Sequence, residues 1–120
     1  MASILIIDDD RVLSHLAASL LRGKGHKVLT AFDAVQGMMM AMRAPHPDAI
    51  VLDINMPGGS GEDTLRKLKM STKTAQIPVI VLSGSIDDDG RKRVRALGAD
   101  VALAKPLVPE ELFSALETAL

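Results

Sequence analysis

Five short runs rich in β-branched residues and leucine alternate along this chain with stretches of helical periodicity: Ser3–Ile7, Lys27–Ala31, Ala49–Leu52, Val79–Leu82 and Val101–Ala104. No other feature restricts the fold as tightly. The first, third and fourth runs are almost wholly apolar. That is the pattern of parallel strands covered on both faces, not of strands with one side in water. A strand–helix unit repeated in this way implies an α/β domain with a parallel sheet.

The helical stretches carry their own signals. Leu13, Leu16, Ala17, Leu20 and Leu21 recur at helix spacing, and Gly23 and Gly25 end that helix. Val35, Met38, Met39 and Met42 form the stripe of a second helix, the Met38–Met42 cluster filling the core with its extra methionine partly exposed, and Asp33 and Gln36 stand at its N-cap and N3 positions. Leu65 and Leu68 mark a third behind Ser60, a candidate cap. Val94 and Leu97 mark a fourth, stopped by Gly98. Pro109 opens a fifth, with Leu112, Leu116 and Leu120 on one face. Right-handed crossovers leave few ways to arrange such units. The expected fold is a flavodoxin-like, doubly wound five-stranded parallel sheet in the order 2-1-3-4-5 with helices on both faces, residues 1–120 forming one domain.

Composition narrows the function. The chain has no cysteine, so a disulfide framework and a thiolate metal site are excluded, and a cytoplasmic location fits. No apolar stretch approaches the roughly 20 residues of a membrane span. The run Ile4–Ile7 is cut off by Asp8, Asp9 and Asp10, so it is no signal peptide. A net charge of −1 gives no general attraction for nucleic acid or acidic membrane. Phe32 and Phe113 are the only aromatics, which leaves little for base stacking. Arg91, Lys92, Arg93 and Arg95 make the fourth helix basic, but Asp87, Asp88 and Asp89 stand four residues ahead of the first three, a spacing expected to pair along an exposed helix. Neither nucleic acid nor membrane is an expected direct partner. The basic helix beside the acidic fifth (Glu110, Glu111, Glu117) is open as a protein-docking face.

The chemistry collects where the strands end. The first runs into Asp8, Asp9 and Asp10, the third into Asp53, the fourth into Ser83 with Gly84 and Ser85, and the fifth into Lys105–Pro106. In the expected strand order these residues share one edge, where open α/β sheets bind ligands. Carboxylates so close repel unless a cation lies among them. Magnesium suits oxygen ligands, keeps several waters and accepts a phosphate. No histidine or cysteine stands at a strand end, which disfavours zinc and copper. Taken singly, Asp10 reads as a helix cap, Asp8 as a turn or site residue, Ser83 as a strand-end hydroxyl and Lys105 as a surface lysine. Together they define a site.

The segments "ILIIDDD", "IVLDINMPGGSG", "VIVLSGS" and "GADVALAKPL", in that order, resemble the receiver domain of two-component response regulators over essentially the whole chain. The resemblance implies a phosphorylation-activated switch, single-domain and chemotaxis-regulator-like. Asp53 would accept a phosphoryl group from a histidine kinase or histidine phosphotransfer protein and signal through protein contacts to an unknown downstream target. Asp9 would be a direct Mg2+ ligand, Asp8 would act mainly through water, and Asp53 and the Asn55 carbonyl would complete the protein's share of the shell. Ser83 and Lys105 would take phosphoryl oxygens, Pro57 and Gly61 would shape the loop behind Asp53, and a cis Lys105–Pro106 bond would aim Lys105 inward. Such a domain catalyses its own phosphoryl transfer and slow autodephosphorylation without being a conventional turnover enzyme.

One position departs from the family. The aromatic usual three residues before the lysine is Ala102 here, so the family's rotamer switch cannot operate as usual. No output domain follows the fifth helix, which fits a single-domain regulator or a piece of a longer protein. Other readings are a flavin- or nucleotide-binding module, a haloacid-type phosphatase and an unphosphorylated interaction module. The aspartates after the first strand would repel a phosphate lacking a metal. Asp53–Ile54–Asn55 lacks the phosphatase's second acid, and every phosphorylation residue is present.

Overall fold

Every apolar run of the sequence is a strand. In the computed structural model, which describes residues 1–56 and 60–120 (Ser60 by its backbone alone), β1 is Ser3–Ile7, β2 Lys27–Ala31, β3 Ala49–Asp53, β4 Val79–Ser83 and β5 Val101–Ala104. They form one parallel sheet in the order β2-β1-β3-β4-β5, as expected. Helices α1 (Arg11–Gly23), α2 (Ala34–Met42), α3 (Ser60–Met70), α4 (Asp88–Ala96) and α5 (Pro109–Ala119) make the crossovers. Among the described residues no helix is long and apolar enough to cross a membrane.

Because successive strand side chains point to opposite faces, the central strands feed two cores. Leu5, Ile7, Ile50, Leu52, Val79 and Val81 pack beneath α2, α3 and α4, where Leu65, Leu68 and Val94 meet them. Ile4, Ile6, Val51, Ile80 and Leu82 pack on the other face against Ala17, Leu21, Leu112 and Leu116 of α1 and α5. Each fully buried leucine or isoleucine contributes about 2 kcal/mol. The strands therefore need both helical layers, and their polar terminal residues are held at one edge.

Helix starts follow the sequence signals. Asp10 accepts from the Leu13 N–H at 3.0 Å, Asp33 from Gln36 at 2.7 Å, and Asp87 from Gly90 at 2.7 Å. The Gln36 side chain returns to the Phe32 N–H at 2.9 Å, one residue before the cap. Gly25 and Gly98, with φ of 91° and 111°, occupy the left-handed region where α1 and α4 stop. The cap expected at Ser60 and the loop role expected of Pro57 lie outside the described residues.

Three expectations need correction. In α2, Val35, Met39 and Met42 face solvent; only Met38 of that stripe reaches the core. The helix instead buries Gly37 and Ala41, because it lies so close to β1 that a Cβ at Gly37 would sit 2.7 Å from the Ile7 side chain. Small residues set that depth, and Met39 and Met42 are turned outward. Leu16 and Leu120 likewise lie at half exposure, with Ser14 and Ala18 buried on α1 instead. On α4 the expected acid–base ladder is not formed among the described residues. Asp87 is engaged as the cap, Arg91 reaches the Ala102 carbonyl at 2.6 Å, and Arg93 grips Glu62 of α3 through two 3.0 Å hydrogen bonds.

Gly61, in the first turn of α3, lies against the chain leaving β3. A Cβ there would run into the backbone carbonyl of Ile54. Gly61→Ala is expected to lower stability by about 1–3 kcal/mol, read as a lower urea midpoint by circular dichroism. An unchanged midpoint would contradict this close approach.

Candidate functional site

Asp8, Asp9 and Asp53 present carboxylate oxygens within 4.8 Å of one another at the carboxyl edge of the sheet. Asp8 and Asp53 are 1% and 3% exposed, whereas Asp9 is open to solvent. Asp53 is the last residue of β3, and Asp8 directly follows β1, its neighbour in the sheet. Each buried aspartate uses one oxygen to order the chain after it. Asp8 Oδ1 accepts from the Asp10 N–H and Asp53 Oδ1 from the Asn55 N–H, both at 2.9 Å.

Lys105 supplies the cation. It follows β5, its peptide bond to Pro106 is cis, and its N–H donates to the Ser83 carbonyl at 2.7 Å. Its Nζ lies 3.3 Å from Asp8 Oδ2 and 3.4 Å from Asp53 Oδ2. Burial alone would lower the lysine's pKa, but the two carboxylates outweigh it and hold the value above that of an ordinary lysine. Asp8 moves the other way. Burial drives its carboxyl from 3.8 up to about 6, the Asp10 N–H pulls it back, Asp53 pushes it further, and Lys105 offsets part of the rise.

One ammonium is too little for three carboxylates. Among the described residues, Asp8 Oδ2 makes an ion-pair contact with Lys105 but no properly directed hydrogen bond, and has no other partner despite full burial. A buried carboxylate oxygen left this way is costly. The donor set is all oxygen and doubly deficient in positive charge. It fits a hard divalent cation and does not fit a soft one.

Ser83 ends β4 at the same edge, but its hydroxyl does not point to Asp53. It donates to Asn55 Oδ1 at 2.6 Å, and the Gly84 N–H donates to that same oxygen at 3.0 Å. Sequence reasoning assigned Asn55 a role through its backbone carbonyl alone. The side-chain latch spans 28 residues of sequence, and its only sequence signal was an amide two residues past Asp53. Asp10, as expected, is the α1 cap and not one of the clustered carboxylates. At Ala102, where the family carries a ring, the backbone carbonyl of β5 is met instead by the guanidinium of Arg91 from α4.

Residues 4–117 match the response regulator receiver domain, and the chain belongs to that family. It is 33% identical over 118 residues to the phosphate regulon transcriptional regulatory protein PhoB of Pseudomonas aeruginosa, covering 98% of this chain and 51% of that protein. It is 32% identical over 120 residues to the protein PilH of the same organism, covering 100% and 98%. The solved structure of the chemotaxis protein CheY4 of Vibrio cholerae superposes with a TM-score of 0.92 at 28% identity, covering 100% of this chain and 99% of that one. This chain thus spans about half the length of PhoB and nearly all of PilH. Membership makes it a phosphorylation-switch domain of two-component signalling, a class that accepts phosphoryl groups from histidine kinases. The three-carboxylate pocket is of the kind in which such domains hold a divalent metal.

The raised Asp8 pKa has a measurable consequence without metal. Its folded value exceeds its unfolded one, so ionising it opposes folding. The cost is absent below about pH 4, grows as pH rises, and is complete above about pH 6. In chelator, Asp8→Asn is expected to raise stability at pH 8 by about 2–3 kcal/mol, with the gain fading between about pH 6 and 4. A gain independent of pH would show that Asp8 is not the titrating group.

Proposed function

We propose that this domain takes a phosphoryl group onto Asp53 from a phosphohistidine of a kinase or phosphotransfer protein, residues 1–120 acting as one receiver unit in the cytoplasm. The observation that carries this reading is the placement of Asp53. It is a buried strand-end carboxylate with an ammonium at 3.4 Å and two further carboxylates alongside. A carboxylate oxygen of Asp53 attacks phosphorus, the phosphorus–nitrogen bond breaks, and the imidazole departs with the bonding pair. Such transfer asks for positioning and charge stabilisation more than for acid–base groups.

Asp9 and Asp53 would hold Mg2+ directly together with the Asn55 carbonyl, and Asp8 would act through water. When bound, the ion neutralises charge on the phosphoryl oxygens. Lys105 already sits between Asp8 and Asp53, so after transfer it exchanges a carboxylate for a phosphoryl oxygen. Ser83 must leave Asn55 to donate to another, which leaves Asn55 Oδ1 with the Gly84 N–H alone. That break moves the start of the β4–α4 connection. With no ring at position 102, Arg91 carries the movement from α4 to the β5 backbone. The output is a change in the α4–β5 surface offered to a downstream protein. The domain would also hydrolyse its own phosphoryl group slowly, through the same site.

Incubation with Mg2+ and a small phosphodonor, followed by intact mass, should show the gain of one phosphoryl group. Asp53→Asn should abolish it with the fold intact; equal labelling of the variant would sink the assignment. Asp9→Ala should weaken Mg2+ binding and slow labelling. Asp10→Ala should spare both while costing about 1 kcal/mol of stability. Equal losses in calorimetric titration of the two variants would remove the distinction between ligand and cap. Arg91→Ala should leave labelling intact but confine phosphorylation-induced amide shifts to residues 83–90. Shifts in β5 as large as in the parent would exclude Arg91 as the link.

A further inference from the structure

The outer face of α2 is apolar and uncovered. Val35, Met39 and Met42 recur at i, i+4 and i+7 and are 72%, 59% and 37% exposed. No residue from Ala34 to Met42 is charged. A surface helix ordinarily turns charged or polar residues to water. An outward stripe of one valine and two methionines is what a contact surface presents, and methionines adapt readily to a facing surface.

The ends of the stripe say what covers it. Asp33 stands at the N-cap and Arg43 at the C-cap, both exposed, with opposite charges. They line one shallow groove along the helix together with Val35, Gln36, Met39 and Met40, with Met42 outside it. Among the described residues Arg43 has no ion pair, and Asp33 spends only Oδ1 on its cap. A helix with an acid at its start, a base at its end and only uncharged residues between is complementary to itself reversed. Two copies laid antiparallel about a two-fold axis bring Asp33 of each against Arg43 of the other, and Val35 of each against Met42 of the other. The midpoint of 33 and 43 is residue 38, and that of 35 and 42 falls between 38 and 39, so one axis at the level of Met38 and Met39 serves both pairs. A parallel pairing would set like charges together at both ends. A wholly acidic or wholly basic partner would match one end and repel at the other.

We propose that α2 is a homodimer face, two copies pairing antiparallel and isologously through Val35, Met39 and Met42 with Asp33–Arg43 contacts at each end. A nine-residue helix is only about 13 Å long, so the interface is small and the association weak and concentration-dependent.

The absence of native cysteine makes the register directly measurable, since any introduced thiol is unique. Under a mild thiol oxidant, Met39→Cys should cross-link to itself, giving a species of about twice 12.8 kDa. It should form at least about tenfold faster than with Met70→Cys, a still more open α3 position (75% exposed). Val35→Cys and Met42→Cys should cross-link poorly alone and readily when mixed. In sedimentation equilibrium the parent's average mass should rise with concentration. Met39→Glu should weaken association at least about tenfold, the effect of losing one central anchor, and Arg43→Asp should do the same by facing Asp33. Circular dichroism would confirm that both remain folded. A parent that stays monomeric at millimolar concentration, a Met39→Cys rate no faster than the α3 control, or preferential Val35 self-linkage would each overturn the proposal.

Discussion

The ammonium of Lys105 between two buried carboxylates is the contact on which this site depends. Asp8 and Asp53 stand at the ends of adjacent strands, almost wholly removed from water, with Asp9 nearby. Burial, with Asp53 adding to it, raises the pKa of the Asp8 carboxyl to about 6. Lys105 lies 3.3 and 3.4 Å from the two buried carboxylates, yet leaves Asp8 Oδ2 without a directed hydrogen bond. The pocket is thus partly neutralised as it stands. What it lacks is positive charge, and that deficit among clustered oxygens suits a hard divalent cation.

The sheet explains why these groups meet and why the sequence exposes them so plainly. A strand buried on both faces has no polar position until it ends, so Asp8, Asp53, Ser83 and Lys105 stand out against apolar runs. Parallel order then gathers the ends. The side of α2 that faces the sheet was not readable in the same way. Hydrophobic periodicity points to the methionines, but depth is decided by Gly37 against Ile7, a distance that no pattern of residue types contains. The basic residues of α4 were misjudged for a related reason. Spacing along a helix suggests local pairs, yet long arginine side chains found a backbone carbonyl on β5 and a carboxylate on α3. The Asn55–Ser83 hydrogen bond joins residues that only the β3–β4 pairing brings together.

That bond and the Arg91 contact are the polar links on which the proposed switch would act. Asn55 holds Ser83 and Gly84 in one arrangement through a single oxygen. A competing acceptor on Asp53 would remove one donor from it. A two-state change of this sort moves only as far as the difference in interactions between its states allows. In the proposed switch that difference would be a few hydrogen bonds and one ion pair, in place of the packing of a ring into a cavity.

The close seat of α2 on the sheet has a further consequence. Gly37 touches Ile7, and Ile7 is bonded to Asp8, so the helix that faces outward with methionines rests on the strand that delivers the buried acid. There is no slack between them into which α2 could sink. A side chain of any size at position 37 would therefore have to lift α2 off β1, the strand that leads into Asp8.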